Sequence, residues 1–327
     1  MTTIKEVARL AGVSSAAVSR YFNGGSLSEE KKEKIRKVVE ETEYRPNAAA
    51  HLMRTGRSRH LGIIVPHVHS DTLSQIMSGI ISSMNAEGYT CILGYTGGIQ
   101  EQELRLIDDM ERGQMEGIIL MGTSMTRKLR AAINKCGIPI VVTGQCFKDV
   151  TSVYHDDKNA MKDLASRMLK KRSNIAYIGV TEEDEAVGKA RKTGVELAFE
   201  AAGRDKEELI RGVAEFSLDS GYEVMKQLLL EHPEIDGVLC ATDLIAHGAM
   251  KALREAGKKM PKQVSIAGVG NHWADEACWP PLTTAGFYYR ECGRTAVNLL
   301  LEMIRSEEEL QVKHVKLGYT IIERGSL

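Results

Sequence analysis

Apolar positions in the first 44 residues recur at helical spacing, whereas those after residue 60 gather into short unbroken runs separated by longer amphipathic stretches. This change of period marks two kinds of structure. Ile4, Val7 and Ala8 share one helical face, and Thr3 followed by Glu6 supplies a capping box that starts a helix close to the N-terminus. Gly12 stands where the chain must turn, with a positive φ expected, and Ala8 leaves room for a second helix to cross closely. Ser14 caps that second helix, whose Val18 and Phe22 face inward. A third helix opens at Ser28 and closes near Tyr44. Two short helices joined at a glycine are the pattern of a helix-turn-helix unit that places its second helix in a DNA groove.

Beyond His60 the runs predict strands at Leu61 to Pro66, Thr90 to Tyr95, Gly117 to Met121, Pro139 to Thr143, Ile175 to Val180, Gly237 to Ala241 and Val264 to Val269. Amphipathic helices lie between them, among them Asp157 to Lys171, Glu183 to Ala202, Asp219 to Glu231 and Ile245 to Ala256. Alternating β and α units with continuous Val/Ile/Leu strands predict parallel sheets covered on both faces. About 265 residues of this pattern make two doubly wound subdomains. The expected fold class is therefore α/β: a helix-turn-helix head over 1–45, a linker over 46–59 and a core over 60–327.

The linker carries its own pattern. Pro46 ends the preceding element, Asn47 is a good cap, three alanines favour helix, and Gly56 stops it. Some nine residues make a helix that is marginal alone in water. A partner helix from a second subunit in a DNA minor groove would support it, with Leu52 or Met53 as an apolar wedge and Arg54 and Arg57 at phosphates. A plain flexible linker is the other reading.

Charge sharpens the division. Through residue 59 there are twelve Lys/Arg against seven acids, a net of +5, which leaves −6 for the rest of a chain totalling −1. A basic head on an acidic body suits a polyanion at one end. No signal-like segment precedes the first helix, no apolar run reaches a membrane-spanning length, and six scattered cysteines include no C-x-x-C pair, so a cytoplasmic protein with reduced thiols is expected. Membrane partners, cofactors and bound metal are not expected.

Exposed positions on the second helix give the base-contact candidates Ser15, Ala16 and Arg20, since an Arg can bond two guanine acceptors at once. Ser19 and Asn23 are phosphate candidates, as is Arg54 in the linker; Thr3 and Ser14 at helix starts and Asn47 and Met53 in the linker complete the DNA-contact candidates. In the core, ligands belong outside the carboxyl ends of the strands. The candidates there are Asp71, Gln145, Glu185 and Arg191, then Phe216, Thr242, Asp243 and Asn271. Carboxylates, amides, a guanidinium and aromatic faces bind polyhydroxylated ligands through paired hydrogen bonds and stacking. Asp157 and Asp243 could equally be helix caps. His155-Asp156-Asp157 cannot all face one ion from consecutive positions, and the acidic run from Glu182 to Glu185 reads as a helix N-terminus. G-x-S-x-G, H-E-x-x-H and phosphate-loop motifs do not occur, so the pattern contains no nucleophile or metal constellation.

The head T-I-K-E-V-A-x-x-A-G-V-S-x-x-x-V-S-R, the Y-x-P-N segment at Tyr44 to Asn47, the strand L-G-I-I-V-P and Pro280-Pro-Leu-Thr-Thr284 resemble the LacI/GalR family of bacterial transcriptional repressors over essentially the whole chain. The resemblance implies a homodimer or higher homo-oligomer bound to a palindromic operator, and a periplasmic-binding-protein-like core that senses a small molecule, usually a sugar or sugar phosphate. It implies base reading by Ser15, Ala16 and Arg20, intercalation at Met53, effector binding by Arg191, stacking at Phe216, and polar contact from Thr242 and Asp243. Ala17 stands where the family has Thr, a lost hydroxyl contact. Met53 replaces leucine, and Gly270-Asn271 replace an acidic pair, which moves attention to Asn271 and His272. The VYHDD and GVTEEDEAVG stretches resemble sucrose- or glucoside-responsive members. A sugar-binding protein with no DNA role is the alternative.

Overall fold

Runs such as Gly117-Ile-Ile-Leu-Met121 and Ile175-Ala-Tyr-Ile-Gly179 bury every residue, which only the interior of a sheet covered on both faces allows. The computed structural model describes all residues except 1, 23–24, 45–56, 68–70, 123 and 309. The described chain forms two units, Met1–Ser58 and Arg59–Leu327.

In the first unit, α1 (Ile4–Leu10), α2 (Ser15–Phe22) and α3 (Glu29–Thr42) enclose Val7, Ala8, Ala11, Ala17, Val18, Ile35 and Val38. Thr3 Oγ1 accepts from Glu6 N at 3.3 Å, the Thr half of the expected capping box. Ser14 Oγ accepts from Ala17 N at 3.2 Å and so caps α2 as expected. Gly12 has φ +64°, in the left-handed region that favours glycine. α3 stops at Glu43, itself at φ 48°, and Tyr44 packs its ring against Phe22 at 5.7 Å. The expected linker helix lies outside the described residues.

The second unit holds two six-stranded sheets. The first contains β1 (His60–Val65), β2 (Thr90–Tyr95), β3 (Gly117–Met121), β4 (Ile140–Thr143), β5 (Ser152–His155) and β11 (His314–Leu317), in the order β11-β5-β4-β3-β1-β2, all parallel. The second contains β6 (Ile175–Gly179), β7 (Ile210–Val213), β8 (Gly237–Cys240), β9 (Ser265–Val269), β10 (Thr283–Phe287) and β12 (Tyr319–Ile322), in the order β12-β10-β9-β8-β6-β7. Only the β10–β12 pair in it is antiparallel. The seven expected strands are present to within a residue at either end. Five others were not foreseen. β5, β7, β11 and β12 are four residues long, β7 alternates exposed and half-buried positions, and β10 opens with two threonines, so none shows a long apolar run.

Helices cover these sheets: α4 (Asp71–Ala86), α5 (Gln100–Arg112), α6 (Arg127–Lys135), α7 (Asp157–Leu169), α8 (Arg191–Ala201), α9 (Leu218–Glu231), α10 (Asp243–Glu255) and α11 (Tyr289–Arg305). Glycines set how closely they pack. A Cβ on Gly79 of α4 would lie 2.0 Å from the Arg290 carbonyl, and one on Gly293 of α11 2.2 Å from that of Ile76, so the two backbones touch. The expected helix over 183–202 divides into a π turn, Glu185–Ala190, and α8. Gly188 lies against the Thr181 carbonyl inside that turn, where a Cβ would come within 2.0 Å. Edge strand β2 exposes Ile92, Leu93 and Tyr95, and α4 exposes Ile81 nearby in sequence. Among the described residues no helix is long and apolar enough to cross a membrane.

Candidate functional site

The chain passes between the two sheets of the second unit three times: from β5 into α7, from β10 into α11, and from β11 to β12. The first two crossings meet in space. His155, ending β5, stacks on Phe287, ending β10, with ring centroids 4.8 Å apart, and sits edge-on to Tyr289 at 5.2 Å. The strand ends around these crossings are where open parallel sheets bind ligands.

Gly194 makes the central ion pair possible. A Cβ there would lie 2.3 Å from the Lys158 carbonyl, so α8 rests directly on α7. Arg191, at the junction of the π turn and α8, then reaches Asp157 at the start of α7: Nη2 to Oδ1 is 2.7 Å and Nε to Oδ1 is 2.8 Å. The remaining Nη1 donates to the Ala241 carbonyl, and the Phe287 ring lies 5.4 Å from the guanidinium carbon. Asp157 thus serves as ion-pair partner rather than cap, and Asp156 holds the cap position. Burial pushes the Asp157 carboxyl up and Arg191 pulls it back; burial also opposes the Arg191 charge, which Asp157 sustains. His155 is driven down to about 4 by burial and then by Arg191, so its ring is neutral. Among the described residues, His155 Nε2, Tyr177 Oη and Thr143 Oγ1 are buried without a hydrogen-bond partner. Buried polar atoms in that condition are costly unless a ligand or water satisfies them.

Other expected residues fall around this centre. Gln145, buried after β4, donates Nε2 to Asp184 Oδ1 at 2.9 Å, and the same oxygen accepts from the Ala186 and Val187 amides at the mouth of the π turn. Asp184 was not singled out by sequence; Glu185 was, and it is exposed and paired with Lys189 at 3.3 Å. Thr242 caps α10 through Ile245 N at 3.2 Å, leaving Asp243 free of that task. Asp243 accepts from Thr284 Oγ1 at 2.7 Å and His272 N at 3.0 Å. Asn271, at φ 52°, donates its amide to Thr284 Oγ1 and accepts from Arg324 Nη2 at 2.9 Å. Asp71 opens α4 and accepts from Gln75 at 2.8 Å. Phe216 is 45% exposed between β7 and α9, and Phe287 is the aromatic face against Arg191.

No metal-ligand spacing marks them in the sequence, yet His247 of α10 and His272 and Asp275 after β9 converge, with one donor atom of each within 4.8 Å of the others. Their separations of 25 and 3 positions carry no ligand spacing. Burial lifts Asp243 to about 7, with Asp275 beside it adding to the effect, and burial lifts Asp275 to about 6.

In the first unit, Ser15, Ala16 and Arg20 are exposed on one side of α2, and Ser19 is half-buried. Thr3 and Ser14 spend their side-chain oxygens on the caps described above. Ala17, where the resemblance implies a lost hydroxyl contact, is buried in the three-helix core. Asn23, Asn47, Met53 and Arg54 lie outside the described residues.

Residues 3–47 match the family described as bacterial regulatory proteins, lacI family, and residues 169–327 match the periplasmic binding protein-like domain. The chain is 30% identical to the HTH-type transcriptional regulator RegA of Clostridium saccharobutylicum, over 99% of each chain. It is 29% identical to the sucrose operon repressor of Staphylococcus xylosus, over 94% of this chain and 95% of that one. Its fold matches the crystal structure of the lac repressor dimer bound to operator and the anti-inducer ONPF, with TM-score 0.87, 21% identity, and 99% and 98% of the two chains covered.

Proposed function

We propose, from the premise that the chain belongs to the lacI family of bacterial regulatory proteins, that it is a repressor whose hold on a palindromic operator is set by a small polyhydroxylated molecule in the core. The family consists of transcriptional regulators, and this chain acts without catalysis. In this assignment residues 1–45 read DNA, 46–59 form the hinge and 60–327 sense the effector, in the cytoplasm and as a homodimer. The name of the sucrose operon repressor supports a sugar or glucoside.

The observation that carries the effector site is the buried Arg191–Asp157 pair, with His155 and Tyr177, whose buried polar atoms lack a partner among the described residues, close enough to act on it. A guanidinium and carboxylate side by side offer donors and acceptors to neighbouring hydroxyls, and the Phe287 ring offers a face to C–H groups. Gln145, Asp71, Thr242, Asp243 and Asn271 are proposed to line the same cleft, with Glu185 and Phe216 on its outer margin. Because three chain crossings join the two sheets, a ligand that prefers one arrangement of them biases the whole core. A coupling of about 1–3 kcal/mol changes operator affinity roughly 5- to 150-fold.

On α2, Ser15, Ala16 and Arg20 are proposed to meet base edges and Ser19 the phosphates, with Thr3 and Ser14 presenting helix starts to the backbone. Asn23, Asn47, Met53 and Arg54 complete the proposed contact set. Fluorescence anisotropy on a labelled palindrome, titrated with salt and then with a panel of sugars and sugar phosphates, tests the proposal. A steep fall of affinity with salt and a change of affinity with one panel member are expected. Equal affinity for palindromic and random duplexes, with no sugar raising the melting temperature, would overturn it.

A further inference from the structure

His247, His272 and Asp275 form a cluster that the effector site does not absorb. His247 Nε2 and Asp275 Oδ1 are 2.9 Å apart, and a ring nitrogen of His272 lies within 4.8 Å of both. The two imidazoles meet edge to face at 5.5 Å. Asp275 is fully buried, and among the described residues its second oxygen, Oδ2, has no hydrogen-bond partner; Arg324 Nη1 lies 3.8 Å away and shares its charge with Glu276. The buried carboxylate of Asp243 stands beside Asp275, and Asp71 of α4 is close enough to act on both His272 and Asp275. A buried carboxylate with one oxygen lacking a partner among the described residues thus has two imidazole nitrogens in reach.

We propose that His247, His272 and Asp275 bind one divalent transition-metal ion. Imidazole nitrogen with carboxylate oxygen is a donor set for Zn²⁺ and its neighbours, rather than for Ca²⁺ or Mg²⁺, which take oxygen. The ion replaces the proton shared between His247 and Asp275, whose 2.9 Å separation needs little change to span two bonds of about 2.0–2.1 Å. The His272 ring closes the remaining gap, giving up the 3.1 Å contact its Nδ1 accepts from Ala274 N if that nitrogen is the ligand. Three protein ligands leave at least one position for water or for a ligand oxygen.

Co²⁺ is the probe, added to the full-length chain stripped with chelator, with binding followed by visible absorption and by bound metal per chain. One ion per chain is expected, with the d–d bands of a nitrogen and oxygen site. His272→Ala and His247→Gln should each weaken binding at least tenfold while melting like wild type in chelator. His272 is half-buried, so its variant keeps the test usable if the His247 variant is unstable. No stoichiometric binding, binding unchanged in His272→Ala, or a thiolate-to-cobalt charge-transfer band would overturn the proposal. The measurement uses neither DNA nor sugar, so its failure is distinct from failure of the regulator assignment.

Discussion

Gln145 and Asp184 meet at 2.9 Å although one follows a strand of the first sheet and the other opens a turn attached to the second. The bond is buried, and Asp184 is anchored by two backbone amides, so the contact ties the arrangement of the sheets to a fixed point on the π turn. Arg191 is the residue at which that turn ends. The arrangement of the sheets and the position of the guanidinium are thereby linked through six residues of backbone.

Gln145→Ala removes the donor from this contact. A hydrogen bond to a charged group contributes about 1.5–3 kcal/mol, so urea unfolding should show a loss of that order. In the proposed effector site, the effector-induced rise in melting temperature should shrink as well, because the contact between the two sheets is lost. A stability equal to wild type would show that the bond adds nothing to closure.

Breaking the Arg191–Asp157 pair from one side should be severe. Arg191→Met leaves a buried carboxylate and is expected to cost about 3–5 kcal/mol, whereas Arg191→Met combined with Asp157→Leu should recover much of the loss. Neither variant should respond to effector. Denaturant unfolding separates the two effects, and a double variant that still binds sugar would remove the pair from the site.

The seven expected strands were legible because parallel strands buried on both faces must be apolar throughout, and that leaves an unbroken run. β5, β7, β11 and β12 were not, because four residues at an edge or a crossing need no such run. Arg191, Gln145 and Asp243 could be found by their position after strands or beside Gly194. Asp184 could not, since a helix cap in an acidic run looks like its neighbours, and whether it or Glu185 turns inward depends on a π turn that sequence period does not disclose. The His247, His272 and Asp275 convergence depends on how α10 packs beside the loop after β9.

His155 gives the core an acid-sensitive term. Its ordinary value of 6.5 is lowered to about 4 in the folded chain, so the unfolded chain takes up a proton first as pH falls. The resulting stability is complete above pH 6.5 and is lost between there and about 4, a loss of about 3 kcal/mol by the free energy per pKa unit. His155→Phe keeps an aromatic ring against Phe287 and should lack this slope. Chemical denaturation of both chains at pH 7.5, 5.5 and 4.5 measures the difference, and parallel profiles would contradict it.

Arg20 is the long basic side chain among the exposed candidates on α2. Arg20→Ala should lower affinity for the palindrome by about 1–3 kcal/mol per half-site while leaving binding to random duplex nearly intact. Competition anisotropy at fixed salt distinguishes these, and equal losses on both duplexes would reassign Arg20 to the phosphates.

The outer edge of the first sheet carries a last implication. Among the described residues, β2 leaves one side of its backbone without a neighbouring strand and shows Ile92, Leu93 and Tyr95 to water, a surface that chains ordinarily blunt with charge or cover. If the second copy of the proposed homodimer covers it, the assembled form depends on abundance, and scarcity would dissolve the pair before any effector arrived. The number of molecules in a cell would then act as a control in its own right.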